Sequence, residues 1–354
     1  MNYTDYIVET ARRLLAIDSP TGYTESAARF VMDSLVEMGY FPVRTAKGGI
    51  LVDLDGSCDP HGAIRRDDPQ GGLLLETHLD TLGGMVAEIK PNGRLRITNV
   101  GGMNANNAEC ENVRVVTRFN GDYEGTCQLK NASIHVNGDY SKTERTWDSV
   151  EIVLDEVVAS ADDARALGIR PGDFVCFEPR TRVTRKGYIK SRFLDDKLSV
   201  AILLGLARYL KDERVVSARH VWGHITVFEE VGHGGAGSVP EGVTEAISID
   251  MGCVGDGLEC TERQVSICAK DSGGPYHFDV VQGLVDAARR AGADYAVDVY
   301  PHYGSDVEAT LSAGHDLRHG LIGPGVYASH GYERSHRDGV ENTFKLIREY
   351  IGRA

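Results

Sequence analysis

The apolar positions of this chain change period as it proceeds. Between residues 5 and 16, and again between 25 and 39, they return at helical spacing, and Ser19-Pro20-Thr21-Gly22 between them reads as a turn, so two helices open the chain. Strands are expected near Phe41 to Arg44 and at Ile50-Leu51-Val52. The stretch from Gly56 to Gln70, rich in Asp, Gly, Pro and Arg, reads as a surface loop. Gly71-Gly72-Leu73-Leu74-Leu75-Glu76-Thr77-His78-Leu79-Asp80 follows, an apolar run that suits a short strand buried on both faces.

From Met85 to about Lys186 the texture becomes alternating. Ala87-Glu88-Ile89, Leu95-Arg96-Ile97, Val113-Arg114-Val115-Val116 and Ser133-Ile134-His135-Val136 are short runs separated by turn residues, and the block continues through strands at Val150 to Leu154 and Phe174 to Phe177 with a short helix over Ser160 to Leu167. The helix and strand rhythm then resumes. Helices are expected at Lys197 to Leu210, Phe278 to Ala291 and Glu341 to Ile351, and strands at Val221 to Phe228, Ala246 to Ile249 and Tyr295 to Val299. The simplest fold is an α/β domain of residues 1–84 and 187–354, interrupted by an inserted, mostly-β domain of residues 85–186.

A chain of 354 residues exceeds what one core ordinarily serves, in keeping with two domains. Its 52 acidic against 38 basic residues give a net charge of -14, which repels nucleic-acid phosphates and anionic lipid. The 7 cysteines are scattered without a Cys-x-x-Cys pair, no basic segment leads an apolar one at the N-terminus, and no apolar run approaches membrane length. A cytoplasmic protein with reduced thiols is expected, with no nucleic-acid or membrane partner.

The candidate chemistry lies at the ends of the predicted strands. A period of two sends His78 and Asp80 to the same side, and an imidazole whose second nitrogen is held by a carboxylate is the usual form of a metal-bound histidine. On its own, a strand-end His-x-Asp is more often structural. The rest of the chain supplies partners: Asp195-Asp196 before a helix, where one carboxylate can cap and the other is spare; Glu229-Glu230 after an apolar strand; Asp250 at the end of another; and His330 in the loop before the last helix. His78, Asp195, Glu230, Asp250 and His330 together offer two imidazoles and three carboxylates. That set suits two divalent ions sharing one carboxylate, with Zn favoured and Co or Mn as alternatives. Such a pair activates a bridging water and polarises a scissile carbonyl, leaving Glu229 as general base.

At these residues the chain resembles the M42 family of metalloaminopeptidases. Thr77-His78-Leu79-Asp80 is similar to the family's first ligand with its orienting Asp, and Phe193-Leu194-Asp195-Asp196 to the segment whose first Asp bridges the metals. Phe228-Glu229-Glu230-Val231-Gly232 resembles the catalytic base followed by a ligand, Ile249-Asp250-Met251-Gly252 the next ligand, and Gly168-Ile169-Arg170-Pro171-Gly172-Asp173 the end of the inserted domain. Tyr303-Gly304-Ser305-Asp306 is similar to a loop near the substrate amine. The resemblance implies a co-catalytic zinc exopeptidase-like α/β/α domain and a barrel-like insert serving oligomerisation and active-site access. It further implies two metal ions per subunit, peptide substrates trimmed from the N-terminus, and a closed homo-oligomer, commonly a dodecamer. Asp80 then orients His78, and Ser305 and Asp306 lie near the substrate.

The closing segment departs from the family pattern. It reads Ser329-His330-Gly331-Tyr332-Glu333-Arg334-Ser335-His336, with His330 the ligand by its spacing to Glu333 and His336 the alternative. The same segment resembles an M42 branch acting on a small modified dipeptide, and Lys197 stands where many members carry Arg. Two further readings compete: a related metal-dependent deacylase or carboxypeptidase, and an inactive assembly or peptide-binding protein that kept the fold.

Overall fold

The computed structural model describes residues 1–55 and 71–352, so the expected loop over Gly56 to Gln70 lies outside the described residues. The chain divides into two compact units, residues 1–80 with 181–354, and residues 81–180.

In the larger unit the strand Gly72–His78 is fully buried along its length, with Leu73, Leu74 and Leu75 at 0% exposure. A strand walled off on both faces belongs in the middle of a covered parallel sheet. It pairs in parallel with Val221–Thr226 on one side and Val243–Ile249 on the other, and Arg318–Tyr327 extends the parallel run beyond Val243–Ile249. The outer strands are mixed. Ile50–Asp53 and Val43–Arg44 continue one edge, and Glu333–His336, Tyr188–Ser191 and Arg182–Val183 the other. Val265–Lys270 pairs antiparallel with Arg318–Tyr327 and carries Tyr295–Val299 beside it.

The helices Leu194–Asp212, Phe278–Ala291 and Arg337–Tyr350 pack on this sheet, and Tyr3–Leu15 packs on Leu194–Asp212. Leu194–Asp212 is buried on nearly every side, which is why its sequence reads apolar all round rather than as a stripe. No helix among the described residues is long and apolar enough to cross a membrane.

The smaller unit is a closed barrel of Gly83–Ile89, Leu95–Val100, Val150–Leu154, Asp122–Leu129, Asn112–Val116 and Phe174–Phe177. Alternation along these strands sends Leu95, Ile97, Val113, Val115, Cys127, Leu129, Ile152 and Val175 into its interior.

The expected strand at Ser133 to Val136 is absent. Those residues form consecutive turns, closed by Val136 N–H and Asn137 N–H donating to Ser133 O at 3.0 and 2.8 Å. Ile134 and Val136 are 62% and 75% exposed, so alternation there had no core to face. The last helix begins at Arg337 rather than Glu341, and the strand from Val221 ends at Thr226 rather than Phe228.

Arg318–Tyr327 was not anticipated, because Gly320, Gly323, Pro324 and Gly325 within it read as breakers. At Gly323 the reason for glycine is spatial: a Cβ there would lie 1.4 Å from the carbonyl oxygen of Asp250. The close approach brings the strand ahead of Asp250 against its neighbour and fixes where Asp250 emerges. Gly323→Ala is therefore expected to lower unfolding stability by at least about 3 kcal/mol. Gly255→Ala, where a Cβ meets nothing within 4 Å, is expected to stay within about 0.5 kcal/mol. Denaturant titration of both variants checks the contrast, and equal small effects would contradict it.

Candidate metal centre

Parallel strands finish at the same edge, so residues that follow them collect there, as ligands do in open α/β sheets. His78 ends the central strand, and Asp250 follows Val243–Ile249 directly. Glu229 and Glu230 occupy a short 3-10 turn, Glu229–Val231, just beyond Val221–Thr226, so a turn rather than strand alternation sets their directions. His330 lies in the turn after Arg318–Tyr327, and Asp195 enters from the start of Leu194–Asp212, where Asp195 and Asp196 still have non-helical backbone.

The five residues converge as two groups of possible ligand atoms: His78 with Asp195 and Asp250, and Asp195 with Glu230 and His330, the atoms of each group lying within 4.8 Å of one another. Asp195 belongs to both. Its Oδ1 is 3.0 Å from His78 Nε2, and its Oδ2 is 3.5 Å from His330 Nε2. Glu230 Oε2 is 3.8 Å from His330 Nε2, and Glu229 Oε2 is 3.8 Å from His78 Nε2 although Glu229 belongs to neither group.

The orientation of His78 is informative. Its Nδ1 lies 3.0 Å from the carbonyl oxygen of Asp80, an acceptor only, so Nδ1 carries the hydrogen. In the neutral ring the lone pair on Nε2 then points at the carboxylates of Asp195 and Glu229. That arrangement repels unless a proton or a cation lies between.

The acids make the same demand. Burial, and then the charge of Asp195, push the Asp250 carboxyl up to about 7. Burial raises Glu229 and Glu230 well above the usual carboxylate range, with Asp250 and Asp195 respectively adding to it. Burial alone would lower the pKa of His78, but Glu229 and Asp195 raise it well above the ordinary imidazole value. Burial would likewise raise Asp195, yet hydrogen bonds to His330 and His78 hold it well below the usual range. Glu230 Oε1 is buried without a hydrogen-bond partner among the described residues. Two imidazoles, three carboxylates, an orphaned carboxylate oxygen and no thiolate match the donor chemistry of a pair of hard-to-borderline divalent cations.

Other carboxylates position this set through the backbone. Asp80 accepts the Thr21 hydroxyl at 2.6 Å and the N–H groups of Glu229 and Glu230 at 3.2 and 3.4 Å; its own oxygen stands 3.7 Å from His78 Nδ1. Asp80 thus reaches His78 chiefly through its carbonyl, and its side chain secures the glutamate turn. Asp196 accepts the N–H of His78 at 3.3 Å, and Glu333 accepts the N–H groups of Asp195 and His330 at 3.1 and 3.0 Å.

The position of Glu333 in the closing segment was visible in the sequence, but nothing there signalled its contacts. His336 lies apart from both groups. Its Nε2 donates to Lys186 O at 2.7 Å, and its Nδ1 accepts Asp338 N–H at the start of the last helix.

Ser305 and Asp306 are 6% and 3% exposed. Ser305 Oγ lies 3.1 Å from the Tyr276 hydroxyl, while the Asp306 carboxylate accepts the Thr226 hydroxyl and the N–H of Gly235 in the glycine-rich loop after Glu230. Thr310, on the same helix as Asp306, belongs to a buried polar chain. Thr310 Oγ1 donates to Glu76 Oε2 at 3.1 Å and Glu76 Oε1 lies 3.0 Å from His224 Nδ1, which satisfies a glutamate at 0% exposure in the central strand.

An α/β sheet with a six-stranded barrel inserted into it is the architecture of the TET aminopeptidases. The TET aminopeptidase of the marine sediment archaeon Thaumarchaeota archaeon SCGC AB-539-E09 superposes with a TM-score of 0.85 at 18% identity, covering 99% of this chain and 96% of that one. The Pyrococcus horikoshii TET1 peptidase, described as able to assemble into a tetrahedron or a large octahedral shell, gives 0.83 at 23% identity over 98% and 99%. The chain belongs to the M42 glutamyl aminopeptidase family, whose sequence profile matches residues 64–346. It is 41% identical over 344 residues to the "Putative aminopeptidase YhfE" of Bacillus subtilis (strain 168), spanning 97% of this chain and 96% of that protein. The resemblance read from the short motifs therefore holds, and the protein is a peptide hydrolase by class.

Burial, and then the nearby charge of Glu76, raise the Asp306 carboxyl to about 7, so between its unfolded value and that pH the folded chain binds a proton that the unfolded chain does not. Stability from this position consequently falls as pH rises through that window. Asp306→Asn keeps an acceptor for Gly235 N–H and stays neutral. The stability difference, variant minus wild type, is expected to grow in the variant's favour from about pH 5 to about pH 8. Thermal denaturation across that range checks it, and a pH-independent difference would contradict it.

Proposed function

We propose that this protein is an aminopeptidase using two divalent ions, held by His78, Asp195 and Asp250 on one side and Asp195, Glu230 and His330 on the other. The observation that carries the reading is the division of the Asp195 carboxylate, one oxygen toward each imidazole. When bound, such ions supply Lewis acidity that polarises the scissile carbonyl and makes water a nucleophile near neutral pH. Zn is the favoured metal on the donor set, with Co or Mn as alternatives.

The chain's own groups then divide the work. Glu229 is outside both donor groups, its side chain is 16% exposed, and its Oε2 stands 3.8 Å from His78 Nε2, a position beside the groups that suits a carboxylate that must both accept and return a proton. It takes a proton from the attacking water and delivers it to the leaving amine. Asp80 holds Glu229 in place through the main chain, and the carbonyl of Asp80 keeps the Nδ1 hydrogen of His78 directed away from the reaction. Asp306 anchors Gly235 of the glycine-rich loop that follows Glu230, which supports assigning Asp306 and Ser305 to the border of the substrate site.

Supporting the remainder of the reading, Cys110, Cys127, Cys176, Cys253, Cys260 and Cys268 are free thiols, as in a cytoplasmic protein. A homo-oligomeric shell, up to the dodecamer, is proposed by analogy with the TET1 peptidase that can assemble into a tetrahedron or a large octahedral shell and with PhTET1-12s, a dodecamer. The barrel unit exposes Phe119, Ile134, Val136 and Val157, large apolar groups suited to subunit contacts.

Glu229→Gln is expected to lower kcat for aminoacyl amides by about 10²–10⁴-fold while metal content per chain is unchanged. Full activity in the variant would remove the proposed base. The assay is run on free and N-acetylated substrates in parallel. Cleavage of free amines alone supports the aminopeptidase reading, and a preference for acetylated substrates supports the deacylase reading instead.

A further inference from the structure

We propose that Glu333 is a positioning residue that latches two ligand-bearing loops to each other and thereby sets the affinity of the second ion site, formed by Asp195, Glu230 and His330. The inference rests on the two-ion reading above and assigns a role to a residue outside both ligand groups.

Glu333 begins the strand Glu333–His336, opposite Ser191 in the ladder, and is 2% exposed. Its two oxygens are directed to different loops. Oε2 accepts the N–H of Asp195 at 3.1 Å, and Oε1 accepts the N–H of His330 at 3.0 Å. Both loops have unfavourable backbone there. Phe193 has φ 66°, and Ala328 and His330 have φ 60° and 61°, in the left-handed region that non-glycine residues rarely occupy. Such a conformation is costly for a residue with a Cβ and persists only where its surroundings determine it.

The ligand groups differ in how much else determines them. His78 ends a buried strand and Asp250 directly follows one, so the sheet ladder fixes them whether or not Glu333 is present. The His330 side chain is 40% exposed, so packing constrains its imidazole weakly and the turn beneath it must do so. A single carboxylate that binds the amide of His330 and the amide of the shared ligand Asp195 fixes the separation of those residues. Its removal frees the second site and spares most of the first.

The test uses metal-stripped full-length protein titrated with Co²⁺, followed by visible absorption, with metal per chain measured by mass spectrometry after dialysis and the metal-free melting temperature recorded by circular dichroism. Wild type is expected to bind two ions. Glu333→Ala is expected to retain one, with the absorption of the first wild-type equivalent, and Glu333→Gln, which keeps one acceptor, to bind the second ion about tenfold more weakly.

Two ions bound by Glu333→Ala with wild-type affinities would overturn the latch. So would loss of both ions in parallel with the melting temperature, since that marks a structural role alone. If Glu333→Ala does not fold, Glu333→Gln decides, and an unchanged second affinity overturns the proposal. Wild-type protein that binds no second ion overturns the two-ion reading itself, which is distinguishable because that result does not involve the variants.

Discussion

Like charge is concentrated where water is scarce. Asp195, Asp196, Glu229, Glu230, Asp250 and Glu333 crowd the carboxyl edge of one sheet, with the His78 lone pair turned into them by a hydrogen bond to the Asp80 carbonyl. Carboxylates buried together at a few ångströms cannot all remain ionised without compensating positive charge. The site therefore calls for protons or cations, and on the two-ion reading proposed above the division of Asp195 between two imidazoles would give the ions their places. The surrounding structure makes that concentration tolerable: parallel strands carry the residues there, a buried helix starts at Asp195, and Gly323 lets the strand preceding Asp250 come close.

A second pattern concerns how these side chains are held. Asp80 binds the amides of Glu229 and Glu230, Asp196 that of His78, and Glu333 those of Asp195 and His330. Each of the three supports is itself a carboxylate, and burial pushes Asp196 well above the usual carboxylate range and Glu333 up to about 8, so the supports share the electrostatic load. Backbone N–H groups offset part of it, since a carboxylate accepting amide hydrogens is stabilised in its charged form. The acid-rich site thus has an inner set of converging candidate ligands and an outer set directed at the main chain that presents them.

Much of the inner set was legible in the sequence because its residues end apolar runs. Leu73-Leu74-Leu75 leading to His78, and Ile247-Ser248-Ile249 leading to Asp250, are buried strands whose next polar residue must emerge at the sheet edge. The M42 motifs, read in order, fixed the family. Of the outer set only Asp80 was singled out in the sequence; Asp196 acts on the amide of His78 and Glu333 on that of Asp195, both distant in sequence, and no spacing rule encodes such contacts. The strand Arg318–Tyr327 was hidden by its glycines and proline, and Ser133 to Val136 was mistaken for a strand because alternation without a core looks the same on paper. His336, the alternative last ligand, is occupied at both nitrogens by Lys186 O and Asp338 N–H, a distinction that required coordinates.

The central claim is that the edge of this sheet holds a pair of cations sharing Asp195. Its most direct test is anomalous diffraction from crystals of the full-length protein grown with Mn²⁺ or Zn²⁺ and measured at the metal edge. Two anomalous peaks about 3.5–4 Å apart are expected, one among His78, Asp195 and Asp250 and the other among Asp195, Glu230 and His330. Crystals that take up the metal elsewhere but show no peak against Asp195 would contradict the claim.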